Sequence, residues 1–391
     1  MNSFVYRVPT EVIFGKKTEE QIGEILAKYG KRRAALVFGS DRVKKSGLLG
    51  LIESKLDEKG IAYIEIGGVR ANPILSHARV AVEEAKTFAP DIIIGVGGGS
   101  VLDEAKAIAH GVANPDADIW EFWSGERKLQ KTMDVASVLT ISAAGSETSN
   151  SAVLTNDGTG IKRGLGTELN RPLFAIMDPE LTYSLPRYQI ACGAADIMMH
   201  TMERFFSPVQ QNHMTDEIAV GLLKTVMRFA PVLLEDPENY EAASEIMWCG
   251  SLSHNGITGL GGINDFATHK FGHELSAKFG ATHGASLTTM WGSWARYVMA
   301  EDEARFSEFG ERVMGLSAGC TALEAIEATE KFFKEKLMLP IKISETEYGI
   351  LSEEDIEEMS LKCSRNKTIT IGSFRKLGYD DIKAIFRMAN V

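Results

Sequence analysis

Two patterns of hydrophobic positions divide the chain. In residues 1–185, short apolar runs of strand length alternate with stretches whose apolar residues recur every three or four positions. The runs predict buried strands, and the stretches predict amphipathic helices. The predicted strands are 34–38, 62–66, 91–96, 135–142 and 174–177, and the predicted helices are 18–29, 48–59, 76–88 and the stretch from the glycines at 97–99 to 110. This alternation is typical of a largely parallel α/β sheet, which binds ligands at the carboxyl ends of its strands.

From about residue 186 the strand-like runs disappear and long helical patterns replace them. The predicted helices are 190–206, 214–233, 240–255, 304–316, 321–336 and 380–389. The change of pattern predicts an α/β domain at 1–185 and an all-helical domain at 186–391. A chain of 391 residues is long enough for two domains. We expect the ligand site in the cleft between two such domains.

The net charge limits the kinds of binding partner, and the cysteines indicate the cellular compartment. The formal net charge of −11 argues against nucleic acid as a partner, because phosphate binding needs a basic face. The four cysteines are far apart and form no CxxC pair, which favours a reducing cytoplasm over a disulfide framework or a thiolate zinc site. The N-terminus resembles no secretory signal, and the apolar runs are far shorter than the ~20 residues that span a bilayer. We therefore expect a cytoplasmic protein without membrane association.

A triple glycine follows the isoleucine-rich strand at 91–96. Gly97, Gly98 and Gly99 allow backbone N–H groups to approach a phosphate, and the start of the next helix adds a favourable field. We expect Ser100 to cap that helix, with Asp103 in its first turn. The run matches neither the GxGxxG fingerprint nor the P-loop, so a purely structural turn remains an alternative to a nucleotide-phosphate site.

Two further polar runs follow strands. Ser40 and Asp41 come after the strand at 34–38, where a sheet meets the adenosine end of a dinucleotide. An acid there binds a ribose hydroxyl, whereas the nearby Arg42 and lysines suit a 2′-phosphate, so the residues leave NAD and NADP open. The run from Thr140 to Ser142 ends another strand and suits a nicotinamide or a phosphate, although a plain loop is the simpler interpretation.

Histidines dominate the stretch at 262–284, which carries three of the eight in the chain, His269, His273 and His283. His269 and His273 are four residues apart and share one helix face, and the glycines at 280 and 284 break the helix so that His283 turns back. Upstream, Asp196 and His200 also lie four apart, in an apolar helix that does not bury a lone aspartate easily. Solvated histidines and an ordinary Asp–His pair remain alternatives. Together, one carboxylate and three imidazoles suit a divalent metal such as Fe²⁺ or Zn²⁺ rather than Ca²⁺ or Mg²⁺.

At this point the sequence resembles the iron-containing (group III) alcohol dehydrogenases, and within them the NAD(P)H-dependent butanol dehydrogenase-like branch. The resemblance runs nearly end to end and is carried by Phe14-Gly15, Asn72-Pro73, GGGSVLDEAK at 97–106, GSE at 145–147, DPELTYSLP at 178–186, GAADIMMHTME at 193–203 and ATHKFGHELSAKFGATHG at 267–284. The last two motifs are the specific ones. Relatives usually carry glycines and a serine where this chain has Gly39-Ser40-Asp41-Arg42, so the nucleotide preference does not follow from the resemblance.

The resemblance implies a dehydroquinate synthase-like fold, a homodimer, and a division of roles among the residues. It implies metal ligands at Asp196, His200, His269 and His283, and makes His273 a proton carrier beside the metal rather than a ligand. Implied contacts to the cofactor, NADP with NAD as the alternative, come from Ser40, Gly97, Gly98, Gly99, Ser100, Asp103, Thr140, Ser142 and Lys162.

The function predicted from the sequence is reversible hydride transfer between a primary alcohol or aldehyde and NAD(P), with a metal polarising the substrate oxygen. A carbon–oxygen lyase of the dehydroquinate synthase type is the first alternative, but few Lys or Arg residues flank the metal motifs to hold its phosphate-bearing substrate. A metal hydrolase is disfavoured because HExxH is absent. A non-catalytic nucleotide-binding sensor is the remaining alternative.

Overall fold

The computed structural model describes residues 1–209 and 212–391, which group into two compact units. One unit comprises Arg7–Ser184, and the other comprises Met1–Tyr6 together with Leu185–Val391. The division into an α/β domain at 1–185 and a helical domain at 186–391 remains a prediction.

A parallel sheet forms the centre of the first unit. Among the described residues it contains six strands in the order β1-β8-β5-β4-β2-β3, and every neighbouring pair is parallel. The strands are β1 (Glu11–Phe14), β2 (Arg33–Phe38), β3 (Ala62–Ile66), β4 (Ile92–Gly97), β5 (Val135–Leu139) and β8 (Phe174–Met177), and β6 (Ser151–Asn156) pairs with β7 (Ile161–Gly166) as a separate hairpin. The chain order reverses direction across the sheet between β2 and β4, which makes their carboxyl ends the expected ligand site.

Helices cover both faces of this sheet. They are α1 (Ile22–Lys28), α2 (Arg42–Lys45), α3 (Leu48–Asp57), α4 (Leu75–Phe88), α5 (Gly99–Ala113) and α6 (Ile119–Ser124). Successive residues of a strand point to opposite faces. In β4, Ile92 and Ile94 therefore pack with α1 and α3, whereas Ile93 packs with α4, α5 and α6. Burial on both faces explains the apolar runs that predicted the strands.

The sequence-based elements of this unit were right in type but not everywhere in extent. The strand predicted at 135–142 ends at Leu139, because the chain turns there into the polar run that follows. Strand β1 and the β6–β7 hairpin were missed. The hairpin had a usable signal, since Asn156-Asp157-Gly158 between two alternating runs is typical of a tight turn.

The second unit is helical. Its helices are α7 (Arg187–Phe205), α8 (His213–Glu235), α9 (Tyr240–His254), α10 (Ala267–Phe279), α11 (His283–Val298), α12 (Glu303–Arg312), α13 (Ala322–Lys331), α14 (Glu353–Cys363) and α15 (Tyr379–Ala389), and a π-helical turn covers Phe332–Lys336. Aromatic side chains fill much of its core, with Phe206 stacked on Phe306 at a centroid distance of 4.5 Å. The predicted combination of a parallel α/β unit and a helical unit is confirmed. Among the residues described, no helix is both long enough and apolar enough to cross a membrane.

Candidate metal and dinucleotide sites

The glycine run lies at the turn from β4 into α5. Helix α5 begins at Gly99, and Gly98 precedes it in an extended conformation. A Cβ atom on Gly98 would lie 2.8 Å from the Ile141 side chain, so this position has no space for a larger residue. The backbone at this turn is therefore placed by close packing at the carboxyl edge of the sheet, where a phosphate can approach its N–H groups.

The helix cap predicted at Ser100 is wrong. Because the third glycine already takes a helical conformation, Ser100 lies inside the first turn and makes no cap. Its Oγ instead accepts a hydrogen bond from the Asn72 backbone N–H at 3.3 Å. The Asn72 side chain in turn accepts a bond from the Lys162 Nζ at 2.7 Å. Two of the predicted cofactor contacts, Ser100 and Lys162, are thus linked through Asn72.

Asp103 and the fully buried Lys106 form a hydrogen-bonded network below this turn. The Asp103 Oδ1 accepts a bond from the Ser146 hydroxyl at 2.7 Å, and its Oδ2 accepts one from the Val153 N–H at 2.9 Å. The Lys106 Nζ donates to the Ser146 carbonyl, the Ser146 Oγ and the Ser151 carbonyl, each at 2.8 Å. Burial lowers the pKa of Lys106 to about 8, although the nearby carboxylates of Asp103 and Glu147 oppose this shift. Burial raises the pKa of Asp103.

The remaining predicted cofactor residues lie at the same edge of the sheet. Ser40 and Asp41 follow β2 and are exposed, and Thr140 and Ser142 follow β5. The Thr140 N–H donates to the Gly97 carbonyl at 3.1 Å, which ties the end of β5 to the glycine turn. Since β2, β4 and β5 are neighbours, their ends present these residues along one edge.

In the helical unit, four side chains converge around one carboxylate oxygen. The Asp196 Oδ1 lies 3.4 Å from the His200 Nε2, 3.6 Å from the His269 Nε2 and 3.7 Å from the His283 Nε2. Asp196, His200 and His269 each offer one ligand atom within 4.8 Å of the others, and all three residues are buried. The structure thus brings together all four residues that the resemblance implies as metal ligands.

Helix spacing and a close contact explain this convergence. Asp196 and His200 lie one turn apart on α7. Helix α10 carries His269 and ends at Phe279, and Gly280 and the two residues after it lead into α11, which begins at His283. A Cβ atom on Gly284 would lie 2.0 Å from the Cys192 carbonyl oxygen, so only glycine lets α11 approach α7 this closely. That approach places His283 beside Asp196.

The electrostatics of His200 and His269 differ, although both side chains are buried. Burial, together with the neighbouring His254, lowers the pKa of His200 well below its usual range. For His269, burial acts in the same direction, but the carboxylates of Glu203 and Asp196 outweigh it and raise the pKa to about 9. A metal that binds His269 must displace its proton, because metal ligands bind as neutral imidazoles.

A divalent metal fits this set of donors. Among the described residues, neither the Asp196 Oδ1 nor the His269 Nε2 has a hydrogen-bond partner, although both atoms are buried. Buried polar atoms without a partner are costly, so an ion at this position would satisfy both. Bonds of about 2.0–2.2 Å in a tetrahedral arrangement hold ligand atoms roughly 3.3–3.6 Å apart, close to the observed distances.

His273 lies beside this set rather than within it. Its ring centroid is 5.7 Å from that of His283 and 6.5 Å from that of His269, and the side chain is largely buried. The position is compatible with the proton-carrier role implied by the resemblance.

Three supporting residues were missed from the sequence: Glu203, Asn72 and Lys106. Glu203 had a usable signal, because it follows His200 by three positions and Asp196 by seven and so shares their helix face. Asn72 and Lys106 lie within motifs that carry the family resemblance. Their contacts join segments far apart in the chain, and spacing alone does not show such contacts.

Two family profiles together match most of the chain. The sequence profile of the iron-containing alcohol dehydrogenases matches residues 9–179, and that of the C-terminal region of the Fe-containing alcohol dehydrogenase family matches residues 190–390. The chain is 36% identical over 392 residues to the NADH-dependent butanol dehydrogenase A of Clostridium acetobutylicum, covering 99% of each protein. It is 31% identical over 394 residues to the NADPH-dependent aldehyde reductase YqhD of Escherichia coli, covering 100% of each.

A solved structure shows the same fold. The crystal structure of the NADH-dependent butanol dehydrogenase A from Thermotoga maritima matches with a TM-score of 0.95 at 32% identity, covering 100% of this chain and 99% of that one. The chain belongs to the iron-containing alcohol dehydrogenase family and is an oxidoreductase of the alcohol dehydrogenase and aldehyde reductase class.

Proposed function

We propose that this chain interconverts primary alcohols and aldehydes of the butanol and butanal type with NAD(P) as the hydride carrier. The convergence of the Asp196 carboxylate and three imidazoles carries the proposal, because it provides a metal site of the kind that binds a substrate oxygen. The names of the relatives supply the substrate type.

The proposed metal ligands are Asp196, His200, His269 and His283. A bound Fe²⁺ or Zn²⁺ would supply Lewis-acid polarisation of the substrate oxygen. The ligand set accepts either ion, since both bind imidazole and carboxylate. The low pKa of His200 keeps that ring neutral and ready to act as a ligand.

The proposed dinucleotide site is the carboxyl edge of the sheet. Its residues are Ser40, Asp41, Gly97, Gly98, Gly99, Ser100, Asp103, Thr140, Ser142 and Lys162. The glycine turn would hold the pyrophosphate, and the nicotinamide would supply or accept the hydride. We expect Asp103 to act mainly by holding other protein groups rather than by contacting the cofactor. Its two carboxylate oxygens already accept bonds from Ser146 and Val153.

The turn after β2 bears on the choice between NADP and NAD. The residues of this turn leave NAD and NADP open in the sequence, and in the structure Lys44 pairs with Glu65 while the Arg42 guanidinium donates to the Ser184 carbonyl at 2.9 Å. Among the described residues, no basic side chain forms an ion pair with the exposed Asp41, whose carboxylate suits ribose hydroxyls better than a 2′-phosphate. These contacts support NAD as the preferred nucleotide, with NADP as the alternative.

His273 is the proposed proton carrier. Its ring lies next to His283 without joining the ligand set, and an imidazole takes up and releases protons near neutral pH. We also propose a homodimer, on the family resemblance, and a cytoplasmic location, on the four free thiols.

The test is a steady-state assay on protein reconstituted with Fe²⁺ or with Zn²⁺. Butanal should cause the absorbance of NADH or NADPH to fall, and butanol should restore it from the oxidised nucleotide. A lyase of the dehydroquinate synthase type would leave the nucleotide unchanged in amount, and a sensor would bind it without turnover. Nucleotide binding without any metal-dependent consumption would contradict the proposed function.

A further inference from the structure

Glu203 is a fully buried carboxylate that faces one of the proposed metal ligands. Its side chain is 0% exposed. The Oε2 atom contacts the His269 Nδ1, and the Oε1 atom accepts the His269 backbone N–H at 3.2 Å. The two residues are 66 positions apart, so this contact joins α7 to α10. Both carboxylate oxygens of Glu203 are therefore directed at one histidine.

The placement on α7 is specific. Glu203 follows His200 by three residues and Asp196 by seven, which puts all three on one helix face. The same face thus offers two proposed ligands and a carboxylate that contacts a third. A buried carboxylate is costly unless it is paired, and an apolar residue would fill the space at lower cost. Stability alone therefore does not account for an acid at this position.

The contact determines which nitrogen of His269 is available. In the neutral ring that a metal binds, the remaining proton on the Nδ1 atom is donated to the Glu203 carboxylate, which leaves the lone pair on the Nε2 atom. That Nε2 atom lies 3.6 Å from the Asp196 Oδ1, on the side where the other imidazoles gather. A carboxylate behind a ligand histidine also increases the electron density that the ring gives to a metal.

His200 is held differently. Its ring packs against those of His254 and Phe266, with centroid distances of 4.0 Å and 6.0 Å. Arg204 donates to the His200 backbone carbonyl rather than to the ring. Aromatic packing thus orients His200, whereas a charge orients His269. Removing Glu203 should therefore disturb one ligand and spare the packing around another.

We propose that Glu203 is a positioning residue for the metal, which holds His269 as the Nδ1-protonated tautomer with its Nε2 atom directed at the ion. The inference rests on the proposed metal site. Glu203 touches neither substrate nor nucleotide in this role, so its effect reaches turnover only through the metal.

The test measures Zn²⁺ affinity of the metal-free, full-length protein by competition with a chromophoric chelator, together with the thermal midpoint with and without Zn²⁺. The variants are Glu203→Gln, which keeps the shape and an acceptor but removes the charge, and Glu203→Ala, which removes both. Glu330→Gln is the matched control, because Glu330 is another buried carboxylate of the helical unit and pairs with Arg296 at 2.6 Å. Asp196→Asn tests the metal site itself.

We expect Glu203→Gln to weaken Zn²⁺ binding by about 10–100-fold, the range seen when such outer partners are lost, and Glu203→Ala to weaken it further. The thermal midpoint of the metal-free glutamine variant should fall, because the protonated His269 loses its buried counter-charge, and the rise in midpoint on adding Zn²⁺ should shrink. Glu330→Gln should lower the metal-free midpoint and leave Zn²⁺ affinity unchanged.

Wild-type Zn²⁺ affinity in both Glu203 variants, with loss of binding in Asp196→Asn, would overturn the role of Glu203 and leave the metal site standing. A fall in affinity matched by an equal fall in Glu330→Gln would also overturn it, since the effect would then be general destabilisation. Wild-type affinity in Asp196→Asn would instead contradict the metal site and the proposed function. If Glu203→Ala fails to fold, the isosteric glutamine variant decides.

Discussion

The two candidate sites use different parts of the polypeptide, backbone in one and side chains in the other. In the α/β unit, the site consists of backbone at strand ends, and Gly98 matters because it has no side chain to collide with Ile141. In the helical unit, the site consists of side chains, and helix spacing brings Asp196 and His200 together. The first site depends on close packing of a turn, and the second depends on the identity of four donor groups.

Each site is also supported by one fully buried charge, of opposite sign. Lys106 donates three hydrogen bonds to Ser146 and Ser151 and so fixes a loop of backbone. Glu203 accepts from His269 and so fixes a ring. The two binding functions should therefore respond separately to mutation, one through nucleotide affinity and the other through metal content.

The largest expected effect is that of Asp196→Ala. This change removes the oxygen around which the three imidazoles gather, so metal content and turnover should be lost together, with turnover down by at least about 10⁴-fold. Nucleotide binding should remain, because Asp196 belongs to the helical unit. Metal analysis checks the loss of the metal, and fluorescence titration with NADH checks that nucleotide binding remains. Retained metal with near-normal turnover would defeat the ligand assignment.

His273→Ala separates proton transfer from metal binding. We expect turnover to fall by about 10²–10⁴-fold, the usual contribution of a general acid or base. Metal content should stay at the wild-type level, because His273 lies beside the ligand set. The assay compares kcat with metal analysis of the same sample. Loss of metal in this variant would place His273 among the ligands instead.

Gly98→Ala tests the proposed dinucleotide site. The added Cβ atom meets Ile141 at 2.8 Å. Overpacking costs about 1–3 kcal/mol, so we expect nucleotide affinity to drop by about tenfold or more while metal content is unchanged. Gly50→Ala is the matched control, because it lies in α3 of the same unit and its added Cβ atom meets nothing within 4 Å. Equal nucleotide affinity in the two variants would refute a close-packed phosphate turn.

The smallest expected effect is a pH dependence of stability caused by Lys106. Burial holds its pKa at about 8 in the folded protein, against about 10.4 in the unfolded chain. Between these values the unfolded chain keeps a proton that the folded protein has released, so raising the pH stabilises the folded protein. Relative to Lys106→Met, wild type should gain about 1–3 kcal/mol across this window in urea unfolding. Parallel pH profiles for the two proteins would contradict the shift.

The sequence predicted those parts of the molecule that depend on local periodicity. Apolar runs located the strands from β2 to β5, and the four-residue interval between Asp196 and His200 located half of the ligand set. Prediction from the sequence failed where contacts between distant segments determine the local structure. Ser100 was predicted to cap the helix, but the helix begins at Gly99, two residues earlier than that cap implies, and the Ser100 hydroxyl accepts from the Asn72 backbone N–H instead.

Edge strands and hairpins also escaped prediction. Strand β1 is short and only partly buried, so its pattern lacks the apolar run that marked the central strands. The spacing of Glu203 places it on the helix face of Asp196 and His200, but only the tertiary structure shows that its carboxylate contacts His269. The quaternary arrangement and the nucleotide preference depend on contacts that one sequence does not contain.

The most direct test of the central claim is X-ray absorption spectroscopy of the Zn²⁺-loaded protein, together with metal stoichiometry. We predict one ion per chain with only nitrogen and oxygen ligands at about 2.0–2.2 Å, and with outer-shell scattering from three imidazoles. The signal should disappear in Asp196→Ala. A sulfur ligand at about 2.3 Å, or a site with fewer than three imidazoles, would contradict the convergence of Asp196, His200, His269 and His283 on a single ion.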